Sequence, residues 1–334
     1  MKQNILISLL LFAFILALTG CSPAGKFKNT NGVVMGYSYK IVYQVPTYAP
    51  WTFESDLRRA ARRQAHLIDK SLSLYHKSSV INNVNSNKDL TTDSVFTAVI
   101  TKAKEIAEKT GAYLNTTTKP LQDLWGYNMS NYQNVTTEDI ASVLEYTGLW
   151  KVHLDKGKII KEDPRIQLNL NTIGIGYAID KLGALLDNRN ISNYMIEVGK
   201  VVFCKGLNPS GSPWRIIIDD NNTDVIYLSD KAMAIAGGLT NFRTKEGKII
   251  NTLFNSRTGY PLEDPLISTL VVSETCLDAA AYSVAFYSMG LEKSIRFIET
   301  QSDIQAILYY FQDDQITKYT TTNITPRHEL QYFP

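Results

Sequence analysis

The chain lacks most of the marks that would assign it quickly. Three cysteines in 334 residues cannot build a disulfide framework. Charged residues make up only 20%, 34 basic against 32 acidic, so no polyanion footprint exists and a general basic face for nucleic acid is excluded. The four histidines, His66, His76, His153 and His328, lie far apart with no carboxylate or cysteine at ligand spacing, and read as surface or helix-face groups. There is no Walker loop, GxGxxG, GxSxG, HExxH or paired-cysteine motif, and no internal repeat. Eleven prolines and 19 glycines are scattered rather than clustered, which bounds the chain at one large domain or two tightly joined ones with a real core.

No apolar run is long enough to span a bilayer. Ile5 to Leu18 is apolar except for Ser8, behind the basic Lys2, and closes on Leu18-Thr19-Gly20-Cys21. A spanning helix needs roughly 20 residues, so this segment reads as a secretory signal over residues 1–20. The small residues before Cys21 resemble a bacterial lipobox, which implies that Cys21 is acylated and becomes the mature N-terminus, anchoring the chain to a membrane of the cell envelope. Residues 21–30 then form a short tether, and residues 31–334 the folded domain.

Along that domain, Ser55–Leu72 carries apolar residues at helical spacing with Arg58, Arg59, Arg62 and Arg63 between them, a solvated helix face. Thr92–Thr110, ended by Gly111, and Thr137–Tyr146 predict two more helices. Strands are expected at 166–170, 194–198, 214–218, 225–228, 249–254, 267–272, 306–311 and 316–319, and helices at 175–186, 278–289 and 292–299. Without regular βαβ spacing, the pattern predicts an α+β, mixed α/β single large domain. Cys204 and Cys276 lie in apolar surroundings and are either inert buried thiols or a pair in an oxidising compartment.

Several segments occur in a telling order: Met35-Gly36; Ser73-Leu74-Tyr75 with Ser79, Ile81 and Asn85; Asn115 to Leu121 leading to Trp125-Gly126-Tyr127; Leu168 to Asp180; Pro213-Trp214-Arg215; Ala236-Gly237-Gly238; Arg257 to Pro261; and Ala279 to Tyr282. Together they resemble the ApbE-type FAD:protein FMN transferase family over about residues 31 to 310. The resemblance implies a lipid-anchored periplasmic flavoprotein transferase that binds FAD, uses magnesium, and moves FMN onto a threonine of a partner flavoprotein. By the same resemblance Met35, Tyr75, Asn115, Thr117, Asn169, Ile175 and Phe254 stand at flavin-holding positions, and Thr172 at a metal-side position.

The sequence departs from the family where its chemistry lies. The family's metal-binding aspartate and threonine fall on Ala280 and Val284, neither with a side-chain oxygen. Asp278 is roughly 200° round the helix from Ala280 and cannot simply replace it. Ile175 stands for a Lys or Glu, Thr252 for a histidine, Ile235 to Leu239 for Thr-Ser-Gly-Asp/Ser-Tyr, and Gly199-Lys200 for paired glycines. Magnesium, usually held by one or two carboxylates plus phosphate oxygens, loses its site. The expectation is therefore a flavin-binding or partner-binding lipoprotein with impaired transfer, a pseudoenzyme. The alternative is an active transferase with a metal site rebuilt from Thr172, Ser283 or Asp278. Lys200, otherwise a solvated turn lysine, could supply positive charge beside a pyrophosphate.

Overall fold

In the computed structural model the described residues are 25–126, 130–131, 134–218, 224–238, 242–245, 248–255, 257–301, 304–313, 315–321 and 327–328. The leader 1–20, Cys21, Tyr127 and Leu239 lie outside them, as does the side chain of Thr252.

The chain enters through a hairpin, β1 (Phe27–Val34) and β2 (Tyr37–Gln44). Helices α1 (Phe53–Leu72), α2 (Val80–Asn85), α3 (Ser94–Lys109), α4 (Lys119–Trp125) and α5 (Thr137–Leu144) follow, then a hairpin of β3 (Val152–Asp155) and β4 (Lys158–Lys161). Next come α6 (Asn171–Asp187), β5 (Tyr194–Val198), β6 (Val201–Lys205), β7 (Trp214–Ile217), β8 (Asp224–Leu228) and β9 (Lys231–Gly237). The last part holds β10 (Phe242–Lys245), β11 (Lys248–Phe254), β12 (Pro261–Glu263), β13 (Leu266–Ser273), α7 (Cys276–Met289), α8 (Leu291–Glu299), β14 (Gln305–Gln312), β15 (Gln315–Thr320) and β16 (Arg327–His328).

Eight strands form one antiparallel sheet in the order β1-β2-β5-β6-β9-β13-β14-β15. The main core lies between this sheet and α1, α3, α6 and α7. On the other face, the three-stranded sheet β16-β8-β7 covers a second core built on Val202, Met233, Leu270 and Ile307. This is the α+β, mixed α/β single domain that the element pattern predicts. Helix α7 is buried on nearly every side, which explains its lack of an amphipathic face. Strand β13 is buried at seven of its eight positions.

Several expectations change. Strand β1 begins at Phe27 and pairs with β2 from there, so residues 27–30 of the expected tether belong to the sheet. Helix α6 begins at Asn171, four residues ahead of the expected 175. Residues 166–170 do not join a sheet, because the Asn85 side chain and the Thr116 backbone carbonyl take the place of a neighbouring strand. The Asn85 amide donates to Leu168 O (2.9 Å) and accepts from Leu168 N–H (2.7 Å), and Asn169 N–H donates to Thr116 O (2.7 Å). The first long helix is capped at Thr52 and starts at Phe53, ahead of Ser55, whose hydroxyl donates back to Thr52 O (2.8 Å). Cys204 and Cys276 are free buried thiols, and burial pushes both well above the ordinary range.

Helices α6 and α7 cross so closely that a Cβ on Gly176 would stand 2.4 Å from the carbonyl oxygen of Cys276. Gly176→Ala must push two core helices apart, and is expected to cost about 1–3 kcal/mol. A lowered denaturation midpoint with an unchanged m-value would show it.

Candidate functional site

A cleft of about 410 Å³ opens where the N-terminal turn of α6, the C-terminal half of α7, the β5–β6 turn, the end of β9 and the 113–118 segment meet. Asn115, Asn169, Thr172, Ile175, Phe254 and Val284 all line it. The remaining predicted residues stand elsewhere. Met35 is fully buried with its thioether against Gly174, behind the α6 wall. Thr117 is fully buried, donating to Asn115 Oδ1 (2.7 Å) and accepting from Gly148 N–H (2.6 Å). Tyr75 is 75% exposed and lies over Gly36. Ala280 is fully buried and is absent from the cleft lining.

The wall is rich in neutral hydrogen-bonding groups. Asn115 uses its carbonyl for Thr117 but leaves its buried Nδ2 without a partner, and the buried hydroxyl of Thr116 is likewise unpartnered. Buried polar atoms are normally satisfied, so these two groups leave hydrogen-bonding capacity unmet just beneath the cleft surface. Gln122 and Asn171 add further amides. Tyr113, Tyr287 and Phe254 supply aromatic surface. Tyr113 is fixed from outside by Lys293 Nζ, which donates to its hydroxyl (2.6 Å), and by the Arg257 guanidinium 5.6 Å from its ring centroid. Sequence reasoning missed Tyr37, Tyr113, Gln122, Tyr287 and Ser288 as site residues, because they come from four separate places in the chain and share no local pattern.

Among the described lining residues Lys200 alone carries a formal charge. It sits on the tight turn between β5 and β6, after Gly199 at φ 57°. Its Nζ donates to Gly237 O (2.6 Å). Gly237 itself has φ 77° and admits no side chain, since a Cβ would stand 2.5 Å from Ile267 O and 2.8 Å from the Tyr287 ring.

These residues do not fit a hard divalent cation. No carboxylate lines the cleft among the described residues, and no group of three His, Cys, Asp or Glu side chains there could hold a metal. Asp278 is occupied, pairing with Lys102 (3.1 Å) and accepting from Thr275 Oγ1 (2.7 Å). Ser283 is fully buried and donates to Ala280 O (3.0 Å). Of the groups that could rebuild a site, only Thr172 lines the cleft.

Asp180 binds the start of α7, accepting from Cys276 N–H (2.8 Å) and Leu277 N–H (3.0 Å). Burial pushes its pKa up to about 6 against the opposing pull of those two bonds, and nearby Asp278 adds to the rise. Asp180 therefore fixes the helix that forms one wall of the cleft.

An eight-stranded antiparallel sheet roofed by two close-packed helices, with an amide-lined cleft at their ends, defines a protein of the flavin-transferase fold. Its shape matches a variant of the flavin transferase ApbE from Vibrio cholerae, with a TM-score of 0.80 and 25% identity over 89% of this chain and 98% of that one. The fold alone also matches the Pseudomonas stutzeri flavinyl transferase ApbE, with a TM-score of 0.80 and 22% identity over 89% and 95%. In sequence the chain is similar to the FAD:protein FMN transferase of Vibrio cholerae, 27% identical over 95% of this chain and 98% of the relative. It is 28% identical to that of Escherichia coli over 72% and 73%. The ApbE family pattern matches residues 35–308, and the chain belongs to the ApbE family.

Proposed function

We propose that this member binds FAD in the cleft by amide, aromatic and lysine contacts, without a divalent metal, and that it transfers FMN to a partner protein weakly or not at all. The observation that carries the reading is a wall with one cation and no carboxylate, together with Ala280 and Val284 at the family's metal-ligand positions. Neutral donors and a lysine can hold a phosphate-bearing ligand, but they cannot polarise a pyrophosphate as a hard cation does. The named activity of its relatives, FAD:protein FMN transfer, supports FAD as the ligand and a flavoprotein as the partner class. The leader and Cys21 support a lipid-anchored protein of the cell envelope facing the periplasm or the outer surface. Thr172, exposed at the start of α6, favours the second reading, a working transferase with a rebuilt metal site.

Titration of the protein with FAD, followed by flavin fluorescence with magnesium or with EDTA, is expected to give the same affinity in both. Incubation with FAD, magnesium and a flavoprotein bearing an acceptor threonine is expected to yield no covalently fluorescent product, and robust turnover would overturn the reading. The double substitution Ala280→Asp and Val284→Thr restores both oxygen ligands, one helical turn apart on a single face. It is expected to add a magnesium-dependent gain in FAD affinity, which EDTA removes.

A further inference from the structure

We infer that the loop between β2 and α1, with the exposed basic face of α1, is a docking surface for an anionic phospholipid bilayer. This rests on the reading that the N-terminal segment ties the chain to a membrane. The described chain starts at Gly25, and Val45 N–H donates to Lys26 O (2.8 Å), so the N-terminal end emerges beside the 45–52 connection. On that connection Tyr48 is 97% exposed and Trp51 is 95% exposed. Two aromatic side chains held this far into water bury nothing in the protein itself. Pro46 and Pro50 stiffen the loop, and their carbonyls accept from Ala49 N–H (3.0 Å) and Phe53 N–H (2.9 Å). Presenting the two rings thus costs little further ordering.

Helix α1 follows directly. Its inner face carries Leu57, Ala61, Ile68 and Leu72 into the core, while Arg58, Arg62, Arg63 and Lys70 are exposed. None of these four forms an ion pair among the described residues, whereas Arg59 is paired with Asp56 and Lys28 with Glu54. Trp and Tyr at headgroup depth with unpaired arginines alongside are the side chains that suit an anionic membrane interface. A tether that leaves the domain at the same edge holds this face within reach of the lipid. The cleft side chains belong to other elements, so the two surfaces are separate.

The test uses the full chain on vesicles of phosphatidylglycerol and phosphatidylethanolamine with brominated acyl chains, which quench tryptophan on contact. The expected result is a quenched component lost in Trp51→Phe but kept in Trp150→Phe, since Trp125 and Trp214 are buried and Trp150, 47% exposed, lies on a different surface beside Lys104 and Glu108. In the variant with Arg58, Arg62 and Arg63 each changed to Gln, the docked population is expected to fall about fivefold per arginine removed. Substituting phosphatidylcholine, or raising the salt, is expected to reduce quenching in the unaltered chain. Vesicle-bound protein with solvent-like Trp51 fluorescence would overturn the docking surface while leaving the anchor intact. Quenching indifferent to lipid charge would also overturn it, pointing to an acidic protein as the partner of the arginines. A chain that does not sediment with vesicles would bring down the anchor reading itself.

Discussion

Lys200→Met is expected to weaken FAD binding by about tenfold, while Lys200→Arg keeps most of the affinity. A hydrogen bond to a charged group contributes about 1.5–3 kcal/mol, and tenfold corresponds to about 1.4 kcal/mol. The lower end applies here because Lys200 is exposed and salt screens it. Its Nζ has one fixed partner, Gly237 O, on a backbone position that cannot carry a side chain. The ammonium is therefore held at the rim with donors to spare for a phosphate. Riboflavin has no phosphate and should bind the unaltered and Lys200→Met proteins alike. Titrations with FAD and riboflavin at low and high ionic strength check both statements. Equal FAD affinity in Lys200→Met at low salt would reduce this lysine to a solvated turn residue.

The second large effect concerns Asp180. Asp180→Ala leaves the Cys276 and Leu277 N–H groups without an acceptor at the start of a helix buried nearly all round. Orphaned buried donors cost about 1–3 kcal/mol each, partly offset by removing a buried charge, and the net expectation is a loss of about 2 kcal/mol at pH 7. The pH dependence has a definite sign. The folded pKa of about 6 lies above the ordinary 3.8. The group's contribution is thus fully present below pH 3.8 and declines as pH rises through 6. Asp163 behaves oppositely. Its bonds from Arg165 hold it down at about 2, so its contribution is present above pH 3.8 and lost as pH falls through 2. Denaturant unfolding of Asp180→Asn at several pH values should therefore lose the pH 4–6 decline while keeping the acid-side loss. A profile identical to that of the unaltered chain would refute the assignment.

The long helices were legible because their apolar spacing is imposed by one-sided burial, as in α1 and α3. Strands β5, β13 and β14 were legible as short β-branched or apolar runs. The edge hairpin escaped notice because β1 is Phe-Lys-Asn-Thr-Asn-Gly-Val-Val, rich in residues that strands usually avoid. Its conformation comes from pairing with β2 along its full length. Residues 166–170 mislead for the converse reason. Their backbone satisfies itself on the Asn85 amide and Thr116, and no alternation pattern encodes a side chain more than 80 positions away. In the cleft, Asn115, Asn169, Ile175 and Phe254 could be named through family resemblance, and the structure brings all four to its lining. Tyr113, Gln122 and Tyr287 could not, since they come from the 113–118 segment, α4 and α7, which only the tertiary fold brings to one cleft. The absence of charge at Ala280 and Val284 was visible in the sequence, but the commitment of Asp278 to Lys102 was not.

The pairing of β2 with β5 sets residues 39–43 against residues 194–198, with α1 to α6 strung between the two strands. A chain this arranged cannot close its central sheet until well over half of it is available, and non-local pairing of that kind folds slowly. The entry hairpin must wait with the outer edge of β2 unpaired until β5 has been made, so the N-terminal end of the domain is the part that stays open longest.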